Sequence, residues 1–450
     1  MGINVLPCRF PCTRHSNKDS ESDHYSSSSS NHHQLHSESS TSSSSSFLSS
    51  QLSLPSVPSL HHHNLNLSTN HCHVITLKPS PPNSSYVSSL VLAGKFLYGA
   101  YSDGRIRLWP RDPDKLSSGG NPFPPENPIA VAVSSVKSLV VSGDKLFTAH
   151  QDNKVRVWKV NDVDHDQKYY KCVATLPTLN DRFLTLFSAK NYVQVRRHKS
   201  RTWVHHVDAV SALAVSRDGS LLYSASWDRS FKVWRTSDFK CLESVTNAHD
   251  DAINHVALSH DGHVYTGSAD KKIKVWKRAK LDGSSRVKHS LEATLEKHKS
   301  AVNALALSSD GSVLYSGACD RSILVWERSS DGGDEEGGVD GGGAMVVVGA
   351  LRGHTKAILC LAVVSFDLVC SGSADRTVRV WNRSGGVDKS YACLAVLEGH
   401  RRPVKCLTAT VDNSGSGSSG ERSCVSSGTS YLIYSGSLDC DIKVWRIWVS

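Results

Sequence analysis

A short alternating segment that closes on tryptophan recurs seven times: GRIRLW, NKVRVW, RSFKVW, KKIKVW, RSILVW, RTVRVW and CDIKVW. The tryptophans are Trp109, Trp158, Trp234, Trp276, Trp326, Trp381 and Trp445. Self-similarity of this kind means that one supersecondary unit is repeated, and that stacking neighbours cover its apolar face. Trp234 and Trp276 stand 42 residues apart, inside the roughly 40–45 that a four-stranded propeller blade takes. The wider gaps contain insertions. Apolar and polar residues alternate before each tryptophan, as they do in half-buried strands. The expectation is an all-β, seven-bladed β-propeller over residues 71–450.

Each repeat carries further fixed positions. An Asp lies six residues before every tryptophan: Asp103, Asp152, Asp228, Asp270, Asp320, Asp375 and Asp439. It falls in a tight turn between two strands. In five repeats a His lies upstream: His206, His249, His298, His354 and His400. Four of these five have Ser two residues before the Asp: Ser226, Ser268, Ser373 and Ser437.

This pattern resembles the WD-repeat family, whose blades hold a Trp–Ser/Thr–His–Asp hydrogen-bond tetrad. A buried indole N–H needs an acceptor, and a hydroxyl can accept it while donating to imidazole. The resemblance implies full tetrads at His206/Ser226/Asp228/Trp234, His249/Ser268/Asp270/Trp276, His354/Ser373/Asp375/Trp381 and His400/Ser437/Asp439/Trp445. The fifth blade has Ala318 at the hydroxyl position, and the first two have Tyr101 and His150 there with no upstream His. These three blades are expected to be less rigid. No repeat ends in the literal Trp-Asp, so the Trp-Asp-x-Arg feature of family members that adapt cullin ubiquitin ligases is lacking.

More narrowly, the stretch 176–216 resembles the plant JINGUBANG-like WD-repeat proteins. That likeness implies a regulatory adaptor acting on a transcription factor in plant reproductive development, in the cytoplasm or nucleus.

Residues 1–70 are rich in Ser, His and Asn and bury too little apolar surface to offset chain entropy, so a disordered arm is expected there. The segment HCHVITL, 71–77, has strand character and is expected to complete the last blade, closing the ring and removing open sheet edges. The net charge is +9, with residues 1–70 contributing −1. Twelve cysteines show no C-x-x-C spacing, which favours a reducing compartment over a disulfide framework or zinc site. No run of about 18 apolar residues exists to span a membrane. His61, His62, His63, His71, Cys72 and His73 are metal-ligand types, but they fall in or beside the low-complexity arm, and no cofactor or metal is expected.

The candidate binding site lies in the insertion 177–205, a blade-to-blade connection expected on the top face. It carries six Arg and Lys, including Arg196, Arg197, Lys199 and Arg201, against the single Asp181, with Trp203 and other aromatics interleaved. Arg presents a planar fork to carboxylate or phosphate. Trp227, in the turn before Asp228, adds a large apolar group where other repeats place smaller residues, and aromatics are favoured binding anchors. The function expected is a non-catalytic, monomeric protein-interaction scaffold using the top face near blade three. The alternative is nucleic-acid or other polyanion binding through the basic insertion.

Overall fold

Seven four-stranded antiparallel sheets follow one another along the chain, as the repeats require. The computed structural model describes residues 57–60 and 69–449, except 80–84, 115–127, 162–168, 187–191, 197–198, 281–286, 330–343, 366, 385–389 and 413–428. Blades one to six each use consecutive strands. Blade seven combines Val404–Val411, Thr429–Ser437 and Ile442–Val449 with the early strand Thr69–Leu77, which pairs antiparallel to Ile442–Val449. The expected closing strand is therefore present. It begins two residues before the boundary expected at residue 71, and Val57–Leu60 also lie on the propeller. The rest of the expected arm, 1–56 and 61–68, lies outside the described residues.

The core sits between blades rather than within them. Val87, Tyr101 and Trp109 of blade one pack with Cys406, Leu432, Tyr434 and Ile442 of blade seven, joined by Leu77 of the closing strand. Burial of each such aliphatic side chain is worth about 1.5–3 kcal/mol, so the closure is held by apolar packing as well as by the strand ladder. Neighbouring blades approach closely enough to demand glycine: a Cβ on Gly436 would stand 2.6 Å from Val87 Cγ1.

Every innermost strand has a register break after its first residue, at Ser88, Lys137, Ser211, Asn254, Asn303, Leu359 and Lys405. A bulge leaves the extra residue out of the ladder and re-aims its side chain. Ser211 Oγ donates to Ile253 O at 2.5 Å, Asn254 Nδ2 to Val302 O at 2.9 Å and Asn303 Nδ2 to Ile358 O at 2.8 Å. Three of the bulges thus stitch blade three to four, four to five and five to six around the axis.

The insertion forms a helix, Leu179–Leu186, and a hairpin of Tyr192–Arg196 with Lys199–Thr202. The buried Asp181 accepts from Cys241 N, on the outermost strand of blade three, at 3.2 Å. The helix therefore lies against the outer wall of the ring, not over the top face as expected. An eight-residue helix needs such an anchor, because helices of that length are marginal alone.

Candidate functional site

In blade three, Trp234 Nε1 donates to Ser224 Oγ at 2.9 Å, and Ser224 Oγ lies 2.8 Å from His206 Nε2. His206 Nδ1 faces Asp228 Oδ2 at 3.0 Å. A carboxylate only accepts, so Nδ1 carries the proton and Nε2 accepts from the serine hydroxyl. The chain runs in one direction, Trp to Ser to His to Asp. The same chain joins His249, Thr266, Asp270 and Trp276; His298, Ser316, Asp320 and Trp326; His354, Ser371, Asp375 and Trp381; and His400, Ser435, Asp439 and Trp445. Every link in these four lies between 2.8 and 3.0 Å.

The hydroxyl therefore comes ten residues before the tryptophan, which corrects the expected assignment of Ser226, Ser268, Ser373 and Ser437. The pleat explains the difference. Leu222 stands opposite Trp234, and Leu222, Ser224 and Ser226 share one face of their strand. The indole reaches one pleat repeat to Ser224, while Ser226 is a further ~7 Å along. Ser226 instead donates to Asp208 O at 3.1 Å and accepts from Asp228 N at 3.1 Å. Ser268, Ser373 and Ser437 make the matching pairs of bonds. Ala318 occupies this second position in blade five, so that blade has a complete tetrad through Ser316, contrary to expectation.

Blade two builds the chain differently. Trp158 Nε1 donates to Thr148 Oγ1 at 2.8 Å, and Thr148 Oγ1 lies 2.7 Å from His150 Nε2. His150 Nδ1 then faces Ser134 O at 3.0 Å. One imidazole thus does the work of both His206 and Ser226. The turn carboxylate that would have held a histidine, Asp152, takes Arg156 in two bonds of 3.1 and 2.5 Å. Blade one has Gly99 at the hydroxyl position, and Trp109 covers it so closely that a Cβ would be 2.7 Å from the ring.

Electrostatics follow from this wiring. The turn Asp Oδ1 accepts the N–H two residues on, and Oδ2 takes both imidazole and the N–H after the histidine, as at Ser230 N and Val207 N for Asp228. Burial alone would raise the carboxyls of Asp320 and Asp439. Burial is outweighed only by the histidine hydrogen bond and charge acting together with the further hydrogen bonds to each carboxylate, which hold both at about 2. Burial pushes the His206 imidazole down against the pull of Asp228. At His150 burial, with Arg156 adding to it, lowers the imidazole to about 4. The tetrad serines and histidines are buried and mutually bonded, so they present no free nucleophile.

The residues of the expected binding site fall on the hairpin, on the segment that follows it and in the turn of blade three. Arg196 and Lys199 are register partners across the hairpin, as are Arg201 and Val193. Arg197 lies outside the described residues. Trp203 is half-buried against the core between blades two and three, and its carbonyl accepts from the buried Lys232 Nζ at 2.6 Å. Trp227 is half-buried on the top face, its backbone N–H donating to Ala209 O at 3.0 Å. Lys137 Nζ, from the bulge of blade two, stands 5.4 Å over its ring. The sequence gives no direct sign of this contact, because it joins residues 90 positions apart in neighbouring blades. His71, Cys72 and His73 belong to the closing strand, where His73 meets Trp445 edge-on at 5.2 Å. His61, His62 and His63 lie outside the described residues.

The family model described as WD domain, G-beta repeat matches residues 197–235, 239–277, 289–327, 345–382 and 391–446. These are the five blades with complete tetrads; blades one and two, with Gly99 and His150, fall outside the matches. The chain is similar to Protein ROOT INITIATION DEFECTIVE 3 of Arabidopsis thaliana, 30% identical over 40% of this chain and 41% of that protein. It is similar to Protein HIRA of Zea mays, 33% identical over 29% of this chain and 14% of that protein. It is also similar to Protein ALTERED SEED GERMINATION 2 of Arabidopsis thaliana, 33% identical over 34% of this chain and 20% of that protein. The matched stretch spans less than half the length of each relative. Taken with the closed ring of seven blades and the five complete tetrads, these matches make the chain a member of the WD40-repeat family, folded as a seven-bladed β-propeller.

Proposed function

We propose that the protein is a non-catalytic interaction scaffold whose main partner surface is the top face at blade three. The observation that carries this reading is Trp227. A large indole is left half-exposed in a turn, with the Lys137 ammonium over one face of its ring. A cation held over an indole contributes about 0.5–1 kcal/mol at an exposed site, which keeps the ring in place before a partner arrives. Aromatic groups that are pre-ordered and partly wet are the usual anchors of protein interfaces. The Ser–His pairs that resemble catalytic pairs support the same reading, because each is committed to holding a tryptophan.

The likeness to JINGUBANG-like proteins extends the proposal to a plant regulatory adaptor acting on a transcription factor, in the cytoplasm or nucleus. Among the described residues, no helix is long and apolar enough to cross a membrane. The experiment is affinity capture with the intact chain and its Trp227→Ala variant, followed by measurement of the recovered complex at rising salt. A partner lost on Trp227→Ala, with modest salt dependence, supports the scaffold. Capture that ignores Trp227 and weakens log-linearly with salt would assign the protein to polyanion binding instead.

A further inference from the structure

Val57–Leu60 lie across the outer rim between blades five and six. Leu60 N donates to Ala350 O at 3.1 Å, and Ala350 N donates to Pro58 O at 2.9 Å, so Ser59 forms a parallel bridge to the outermost strand of blade five. Leu60 O accepts from Tyr391 N at 2.9 Å, the first residue of blade six's outermost strand. Arg352 Nη2 donates to Val57 O at 3.1 Å. Val57 is buried, and the Leu60 side chain packs on the core shared by the two blades.

A pocket specific to this rim receives Leu60. A Cβ on Gly349 would stand 2.3 Å from Leu60 Cγ. The register partners of the outer strands place Ala174, Glu243, Ala293 and Ala395 at the same position in blades two, three, four and six. Of these five blades, only blade five has the glycine that opens a seat for leucine.

We propose that this groove is a second interaction site, taking an extended peptide of the pattern aliphatic-Pro-polar-Leu, and that Val57–Leu60 are its occupant in cis. The grip is what a separate peptide can reproduce: main-chain bonds to a sheet edge, plus one pocket that reads an alternate side chain. The cis copy is joined to the closing strand by only the eight residues 61–68. A segment joined in the same chain stays beside the groove, so a partner's segment must compete with it.

The test uses the full-length protein and a fluorescent peptide of residues 54–63. Leu60→Asp places a carboxylate in the apolar seat and empties the groove. The peptide should bind this variant at least about tenfold more tightly than the unaltered protein. Leu60→Ala, which keeps the main-chain bonds, should give an intermediate gain. Adding Gly349→Val to Leu60→Asp should abolish the gain, as should placing Asp at the leucine of the peptide. Binding no tighter than to the unaltered protein, or binding indifferent to Gly349→Val, with the melt unchanged, would overturn the proposal. Loss of the cooperative melt in both Leu60 variants would overturn it too, since the segment would then be a fixed part of the fold.

Discussion

His150 Nδ1 stands 3.0 Å from Ser134 O, while its Nε2 meets the Thr148 hydroxyl at 2.7 Å. A backbone carbonyl thereby replaces the turn aspartate as the terminus of blade two's hydrogen-bond chain. A carbonyl, unlike a carboxylate, offers little to stabilise imidazolium, and burial lowers His150 to about 4.

The sign of the pH dependence follows. The folded state disfavours the protonated imidazole, so this contribution is complete above the unfolded value near 6.5 and is lost as pH falls from there toward 4. Its size is on the order of 3 kcal/mol. Burial also lowers His206, so the unaltered protein weakens from both sites in that direction. Denaturant unfolding between pH 7 and 4 should show this decline, and His150→Asn should be less stable at pH 7 but visibly flatter. Identical slopes would mean that His150 contributes nothing to the pH dependence.

The two serines of blade three separate by role. Ser224→Ala leaves the Trp234 N–H and the His206 nitrogen without partners in a buried site, at about 1–3 kcal/mol for each unsatisfied group. Ser226→Ala removes one bond to Asp208 O and one from Asp228 N, and blade five already tolerates Ala318 at that position. Unfolding midpoints should fall further for Ser224→Ala. The reverse order would restore the original assignment.

Tryptophans in different blades should not cost the same. Trp234→Ala removes a buried indole, roughly 3–5 kcal/mol, and also strands Ser224 and His206. Trp109 rests on Gly99 with no hydroxyl at that place, so Trp109→Ala carries the burial loss alone. Equilibrium unfolding of the two variants should give the larger loss for Trp234. Equal losses would mean that the tetrads add nothing separable.

Closure makes a prediction about truncation. Removing residues 1–77 deletes Thr69–Leu77, leaves the Ile442–Val449 edge bare and takes Leu77 from the core between blades seven and one. An open apolar edge invites pairing between chains. Light scattering and thermal melts should show aggregation and a lower transition than in a chain beginning at residue 69. Matching melts for the two chains would contradict the closure.

The blades, their order and the closing strand were legible because a repeat with fixed Asp and Trp spacing admits few folds. The acceptor hydroxyl was not: Ser224 and Ser226 lie on one strand face, and only the register opposite Trp234 decides between them. His150 hid its role because it occupies a hydroxyl's position in the pattern. The place of the helix was set by one long-range bond, Asp181 to Cys241. Val57–Leu60 were unreadable because their partners, Ala350 and Tyr391, are about 300 residues away in sequence.

Trp227 is the proposed anchor of a partner on the top face. Surface-binding kinetics against the captured partner test it most directly, with circular dichroism to check the fold. A buried aromatic anchor mainly slows dissociation, whereas rim charges mainly speed encounter. Trp227→Ala should raise the dissociation rate, for a loss of about 2 kcal/mol if it is a hot spot. Unchanged dissociation from a correctly folded Trp227→Ala protein would contradict the claim and move the interface to another face.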